Sequence, residues 1–282
     1  MAFSLSSLMP ARLRGGQPVI PVVRLSGMIG GGLPLRQGLT LDGVAGPLAR
    51  AFGIKAAPAV ALVVNSPGGA AAQSHLIFRH IRALAEEKKK TVIVAVEDLA
   101  ASGGYMIAAA GDLIVVDPSS IVGSIGVVSA GFGFTGLMER LGVERRVHTA
   151  GKSKAMLDPF RPEREEDVAR LRAIQEDVHA AFIGLVKERR AKTLVDDPDL
   201  FSGAFWSGAR AVELGLADRV GDLRSVLRER YGEKVRLKPI AAEKGMLRRR
   251  LGLNSGDRLA ASLVREVVTA IDEDLAWRRF GL

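Results

Sequence analysis

Apolar runs with strand-like length alternate with amphipathic stretches through the first half of the chain. Val19 to Leu25 is a short apolar run rich in β-branched residues, and it reads as a first strand. Gly30-Gly31-Gly32 follows as a loop, then Leu41 to Phe52 as a helix interrupted near Pro47. Ala59 to Val64 is a second buried strand, closed by Ser66-Pro67-Gly68-Gly69. From Ala70 to Glu87 the apolar residues Leu76, Ile77, Ile81 and Leu84 recur at helical spacing. Val92 to Val96 is a third strand and Leu113 to Val116 a fourth, with a short helix of small residues, Met106 to Gly111, between them.

Strands separated by helices predict βαβ units and a mainly parallel sheet. In such sheets ligands sit beyond the strand C-termini, where both Gly-Gly turns of this chain fall. Gly123-Ser124-Ile125-Gly126-Val127-Val128 reads as a glycine-rich turn into a further strand, Phe134 to Leu141 as a short helix, and Val143 to Thr149 as another strand. Glu163 to Lys192 is long and charged, with Val168, Leu171, Ile174, Val178, Phe182 and Leu185 along one face. That face predicts packing on the domain or on a neighbouring subunit. Ser207 to Leu214 and Leu223 to Tyr231 are shorter helices, and Val235 to Ile240 a last strand.

Three segments follow from this pattern: a flexible lead-in over 1–16, one catalytic-sized domain over 17–240, and a basic amphipathic helical tail over 241–282. In the tail, Ala260, Leu263, Val267, Ile271 and Leu275 make one apolar stripe. The chain has 282 residues, 48% hydrophobic and 25% charged, enough for a core that needs neither disulfide nor metal. Cysteine is absent, which excludes a disulfide framework, a zinc–cysteine site and a thiol nucleophile. A formal net charge of +9 points to anionic partners, but aromatics are only 5%, too few for base-stacking platforms, so nucleic acid is not expected. No apolar run reaches the roughly 20 residues of a membrane span. Serines interrupt the opening residues and no basic region precedes them, so a secretory leader is not expected either. The expected location is cytoplasmic. Peripheral membrane contact through Arg248, Arg249 and Arg250 is a competing use of the tail.

Ser102 carries the candidate chemistry. It stands in Ala100-Ala101-Ser102-Gly103-Gly104-Tyr105, between a buried strand and a short helix. A serine at such a junction can sit on a sharp exposed turn with backbone N–H groups beside it, although the hydrolase elbow pentapeptide is absent. Its hydroxyl needs a base. Four histidines are present, but none pairs visibly with an aspartate. A desolvated lysine also serves, because burial favours its neutral form. Gly151-Lys152-Ser153-Lys154-Ala155-Met156 offers one beside apolar neighbours, although two solvated lysines are the ordinary outcome for such a loop. A phosphate-binding loop is discounted, since Arg146 stands where its first glycine belongs. Ser-Pro-Gly-Gly taken alone is a plain turn; functionally, its glycines let backbone approach a substrate and aim N–H groups at an oxyanion.

The combination is more specific than its parts. Asn65-Ser66-Pro67-Gly68-Gly69, Ala100 to Tyr105, Gly123-Ser124-Ile125-Gly126-Val127, Ser153-Lys154 with Pro159, Gly208-Ala209-Arg210-Ala211 and Leu214-Gly215-Leu216-Ala217-Asp218 together resemble the signal peptide peptidase A family of serine proteases, over roughly residues 17–230. The resemblance implies an α/β fold of the Clp protease/crotonase type, a ββα superhelix, here with a helical C-terminal extension. It implies Ser102 as nucleophile, Lys154 as general base and the amides of Gly69 and Gly103 as oxyanion hole. Ser66, Gly68 and Ser124 are expected to touch substrate. No metal or organic cofactor is expected. The resemblance further implies a cyclic homo-oligomer with serine and lysine meeting across subunits, acting on peptides such as remnant signal peptides or small unfolded polypeptides. The chain departs from the family in lacking the usual membrane anchor before the domain. Two other classes use the same features: a crotonase-type acyl-thioester enzyme, polarising a thioester with the paired amides, and a non-catalytic membrane-organising scaffold.

Overall fold

The computed structural model describes residues 17–31, 38–241, 274 and 276–281. The expected lead-in over 1–16, the arginines 248–250 and the apolar stripe of the tail lie outside these residues.

Strands β1 (Val19–Ser26), β2 (Ala59–Ser66) and β3 (Thr91–Ala101) pair in parallel at the centre of an eight-stranded sheet. The crossovers are α1 (Leu41–Gly53) between β1 and β2 and α2 (Ala71–Lys88) between β2 and β3. Strand β8 (Arg236–Pro239) adds to the free side of β1. The period-2 pattern assigns the two faces. Val60, Leu62 and Val64 point into the large core beneath α1, α2 and the later helices. Ala59 and Ala61 point the other way, into a smaller cluster capped by Val226 and Leu227 of α7 (Leu223–Tyr231). Strands buried on both faces are the parallel-sheet pattern.

Helix α1 runs unbroken through Pro47, contrary to the interruption expected there. Pro47 is itself buried beside Val44, Leu48, Ala51 and Phe52, so core packing offsets the lost backbone hydrogen bond.

Strand β3 is longer than its apolar run suggests. Its first half, Ile93 to Val96, pairs with β4 (Leu113–Val116), and its second half, Leu99 to Ala101, pairs with β5 (Ile121–Gly123). Between the halves lie Glu97 and Asp98. Glu97 accepts from the Arg24 guanidinium, and Asp98 accepts from Asn65 Nδ2 at 2.7 Å. The register against β2 shifts at the same place, between Val64 and Ser66. One strand thereby pairs with two successive strands along one side and delivers its C-terminus to the next element.

That element is α3 (Gly103–Ala108), all six residues of which are buried. Behind it, the Tyr105 hydroxyl donates to Leu216 O at 2.9 Å. Burial pushes the Tyr105 phenol well above its ordinary range. Arg190, the last residue of α5 (Glu165–Arg190), donates to Gly215 O and to both carboxylate oxygens of Asp218, which also accepts from Ile114 N. The segment 214–218 is thus the clamp that backs the α3 turn. Only the C-terminal half of α5 packs inward: Phe182, Leu185 and Val186 are buried, whereas Ile174 is exposed.

Strand β6 (Phe205–Ser207) is antiparallel to β5 and leads into α6 (Gly208–Glu213), and β7 (Arg219–Val220) pairs with β4. From Ser124 to Arg164 the chain leaves the sheet. Its one helix is α4 (Thr135–Leu141), and it has no buried residue. The strand expected over Val143 to Thr149 is not formed; those residues pair with no strand. The strand expected after Gly126 is absent as well. No described helix is long and apolar enough to cross a membrane.

Candidate active site

Ser102 takes φ 51° and ψ −123°, a conformation that a residue with a side chain rarely adopts. The surroundings hold it there. Its N–H donates to Gly123 O at 2.8 Å, and its carbonyl accepts from Met106 N at 3.0 Å. Strand β3 therefore turns into α3 with no loop between them. The result is a sharp elbow with the side chain at its tip, half-buried in flanks that are fully buried. Among the described residues the Ser102 hydroxyl has no hydrogen-bond partner.

The turn after β2 is built against this elbow. Ile29 N donates to Gly68 O, and Ala70 N donates to Ile29 O, both at 2.8 Å. These bonds lock residues 68–70 against Ile29. Gly68 has φ 101°, and a Cβ there would lie 2.8 Å from the Ser102 Cβ. Gly69 has φ 141°, and a Cβ there would collide with Ile29 O. With one amide of the turn spent on Ile29, the Gly69 N–H is left over. The Gly103 N–H opens α3, where a first-turn amide has no helical acceptor. Neither amide meets an acceptor among the described residues, and both residues line the same cavity as Ser102.

This cavity measures about 440 Å³. Met28, Ile29, Met106, Val127, Val178 and Phe182 give it apolar walls. Ser124, at φ 54°, also lines it, with its N–H held by Ala204 O at 2.6 Å. Ser66 does not. Its hydroxyl is buried behind the turn, donating to Gly27 O at 2.7 Å and accepting from Gly68 N at 3.2 Å. It shapes the glycine turn rather than facing a substrate.

Lys154 stands apart from this group. It lies on an exposed turn, residues 151–157, and is not among the residues lining the cavity. Two buried carboxylates fasten the turn. Asp158 accepts from the Arg145 guanidinium and from Phe160 N, and Asp167 accepts from Arg164 Nη2 at 2.8 Å. Those arginine hydrogen bonds hold both carboxyl groups below the usual carboxylate range. Around the turn, apolar side chains face solvent: Phe132 is 78% exposed, Leu141 67% and Val128 71%. The expected serine and glycines are brought together within one chain, and the expected lysine is not.

Sequence reasoning missed the C-terminal wall of the cavity. Ala276, Arg279 and Phe280 line it. No local pattern marks them, because their contacts are to residues far back in the chain. Val178 and Phe182 were legible only as part of a helical apolar stripe.

A mainly parallel α/β sheet with a strained serine at a strand–helix elbow, two amides without an acceptor among the described residues and an apolar cavity is an arrangement suited to hydrolytic chemistry. The comparison with known families agrees. Peptidase family S49 matches residues 84–236, more than half of the chain, and the chain belongs to that family. It is 36% identical over 171 residues to a putative signal peptide peptidase SppA of Enterococcus faecium, covering 59% of this chain and 48% of that protein. It is 56% identical over 286 residues to a protein of Brucella abortus (strain 2308) named Na(+)/H(+) antiporter NhaA, covering 99% of this chain. The chain spans only 39% of that longer protein's length. No described helix is long and apolar enough to cross a membrane, and the antiporter name is that of the longer protein. Among solved structures, the 1510-N membrane-bound stomatin-specific protease in complex with a substrate peptide aligns with a TM-score of 0.50 at 16% identity, over 81% of this chain and 94% of that one. That likeness concerns the fold.

Proposed function

We propose that this chain is a serine endopeptidase in which Ser102 is the nucleophile and Lys154 of a second copy is the base. The observation that carries the reading is the Ser102 elbow: a strained serine with a free hydroxyl, beside two unpartnered amides, in an apolar cavity. Ser102 Oγ attacks a peptide carbonyl carbon, and its proton passes to the lysine amine. The carbonyl oxygen becomes an oxyanion between the Gly69 and Gly103 N–H groups. As the C–N bond breaks, the lysine returns the proton to the leaving amine. Water then attacks the acyl-enzyme by the same route, releasing the acid and restoring Ser102. The cavity favours apolar or small side chains next to the scissile bond. Segments of the signal-peptide kind suit it, as the name of the Enterococcus relative suggests.

The cross-subunit lysine rests on a second observation. Lys154 is exposed and outside the Ser102 cavity, on an excursion that also exposes Val128, Phe132 and Leu141. A second copy docked over that excursion would bury Phe132, Leu141 and Val128, desolvate the lysine and bring it to a neighbouring Ser102.

A fluorophosphonate probe tests the nucleophile. The expected result is one adduct, mapped by mass to Ser102 and absent from folded Ser102→Ala. A folded protein that takes no label would favour the thioester or scaffold classes and end this reading.

A further inference from the structure

The cavity over Ser102 has one wall that neither the sheet nor the long helices supply. Residues 276–281 form a helical turn, and Phe280 anchors it. Its ring is 8% exposed and packs on Leu99 and Ala101, immediately upstream of Ser102, with Trp277 and Ile121 alongside. The Phe205 ring meets it edge-on at 4.9 Å between centroids. This anchor fixes where Arg279 stands. The Arg279 guanidinium carbon lies 5.7 Å from the Phe280 ring centroid, and the residue lines the cavity.

Among the described residues lining the cavity, Arg279 is the one charged side chain. No described carboxylate pairs with it. Its neighbour Arg278 pairs instead with Asp274, one turn back. A cation lining an apolar cavity, beside two amides without an acceptor among the described residues, favours anionic groups on whatever enters.

We propose that Arg279 is a specificity-determining residue that selects peptides carrying a carboxylate close to the scissile bond. The carboxylate comes from an acidic side chain or from a free peptide C-terminus. The inference rests on the peptidase reading above. In it, the C-terminal turn is a working wall of the substrate site, and Arg279 gives an otherwise apolar cavity its charge preference.

Four matched peptides separate the two sources: Glu or Gln near the cleavage site, each with a free or an amidated C-terminus. The readouts are kcat/KM in the active protein and Kd in the Ser102→Ala background, so that binding is measured whether or not cleavage occurs. The wild type should prefer one acidic arm over its neutral counterpart by about fivefold, the upper end for an exposed ion pair. The ratio should fall to about one in Arg279→Ala, drop below one in Arg279→Glu, and shrink with added salt. Equal ratios in wild type and Arg279→Ala, in both readouts, would overturn the inference. So would a deletion of residues 274–282 that speeds cleavage of all four peptides alike, since the turn would then be an obstruction. If no peptide is cleaved by any form, the nucleophile reading fails, and the Kd ratios still decide the role of Arg279.

Discussion

At the scale of single residues, the site combines a strained position with spent and unspent hydrogen bonds. Ser102 keeps its positive φ because its N–H is bound to Gly123 O and its flanks are buried. Among the described residues the Gly69 amide is left over because Ala70 N takes Ile29 O, and the Gly103 amide because it opens α3. Lys154→Ala should lower probe labelling of Ser102 at least a hundredfold, within the usual range for removing a general base, whereas Lys152→Ala should keep most of it. Equal losses in the two variants would contradict the assignment. Gly69 is a poor position for a clean test of the oxyanion hole. Any side chain there collides with Ile29 O, so a variant such as Gly69→Val would move the turn as well as the amide. Tyr105 gives an independent check on the packing behind the elbow. Burial raises its folded pKa above the ordinary value near 10. Its contribution is therefore fully present below that value and lost as pH climbs toward the folded pKa. Between pH 10 and 11.5 the wild type should lose up to about 1.4 kcal/mol per pH unit from this group. Denaturant midpoints should fall less steeply with pH in Tyr105→Phe, and parallel slopes would contradict a buried neutral phenol.

At the scale of elements, the clamp formed by α5, the segment 214–218 and β4 holds α3 in place. Arg190 is 5% exposed, and its partner Asp218 also caps Ile114 N. Asp218→Ala would leave a buried guanidinium without its carboxylate and should cost about 3–5 kcal/mol. Urea denaturation reads this directly, and a loss under 1 kcal/mol would show the pair to be dispensable. The elements most legible in the sequence are those whose pattern is local. The strands at Val19, Ala59 and Val92 announce themselves by apolar runs, and the Ser102 elbow by the small-residue run after one of them. Two local signals misled. The proline of α1 is accommodated by burial, which no window of sequence reports. Val143 to Thr149 has strand-like residues, but a strand needs an edge to pair with, and this segment lies off the sheet. The C-terminal wall was illegible for the converse reason. Phe280 finds Leu99, Ala101 and Phe205 across most of the chain, with nothing in its own neighbourhood to mark it.

At the scale of the whole molecule, the chain carries both residues of the proposed dyad, and Lys154 does not line the Ser102 cavity. The sheet sets Ser102, Gly69 and Gly103 around one cavity, while the excursion from Ser124 to Arg164 carries Lys154 outside it and leaves Val128, Phe132 and Leu141 exposed. In the proposed reading a ring or other closed assembly would account for both features, covering the exposed apolar residues and supplying each serine with a neighbour's lysine. The most direct measurement mixes Ser102→Ala with Lys154→Ala, each inactive alone, under conditions where subunit exchange is followed by two fluorescent labels. Peptidase activity should return as mixed assemblies form, because they contain intact pairs of Ser102 from one subunit and Lys154 from the next. Proven exchange with no return of activity, or an active monomer of the unaltered chain, would show that the two residues meet within one chain.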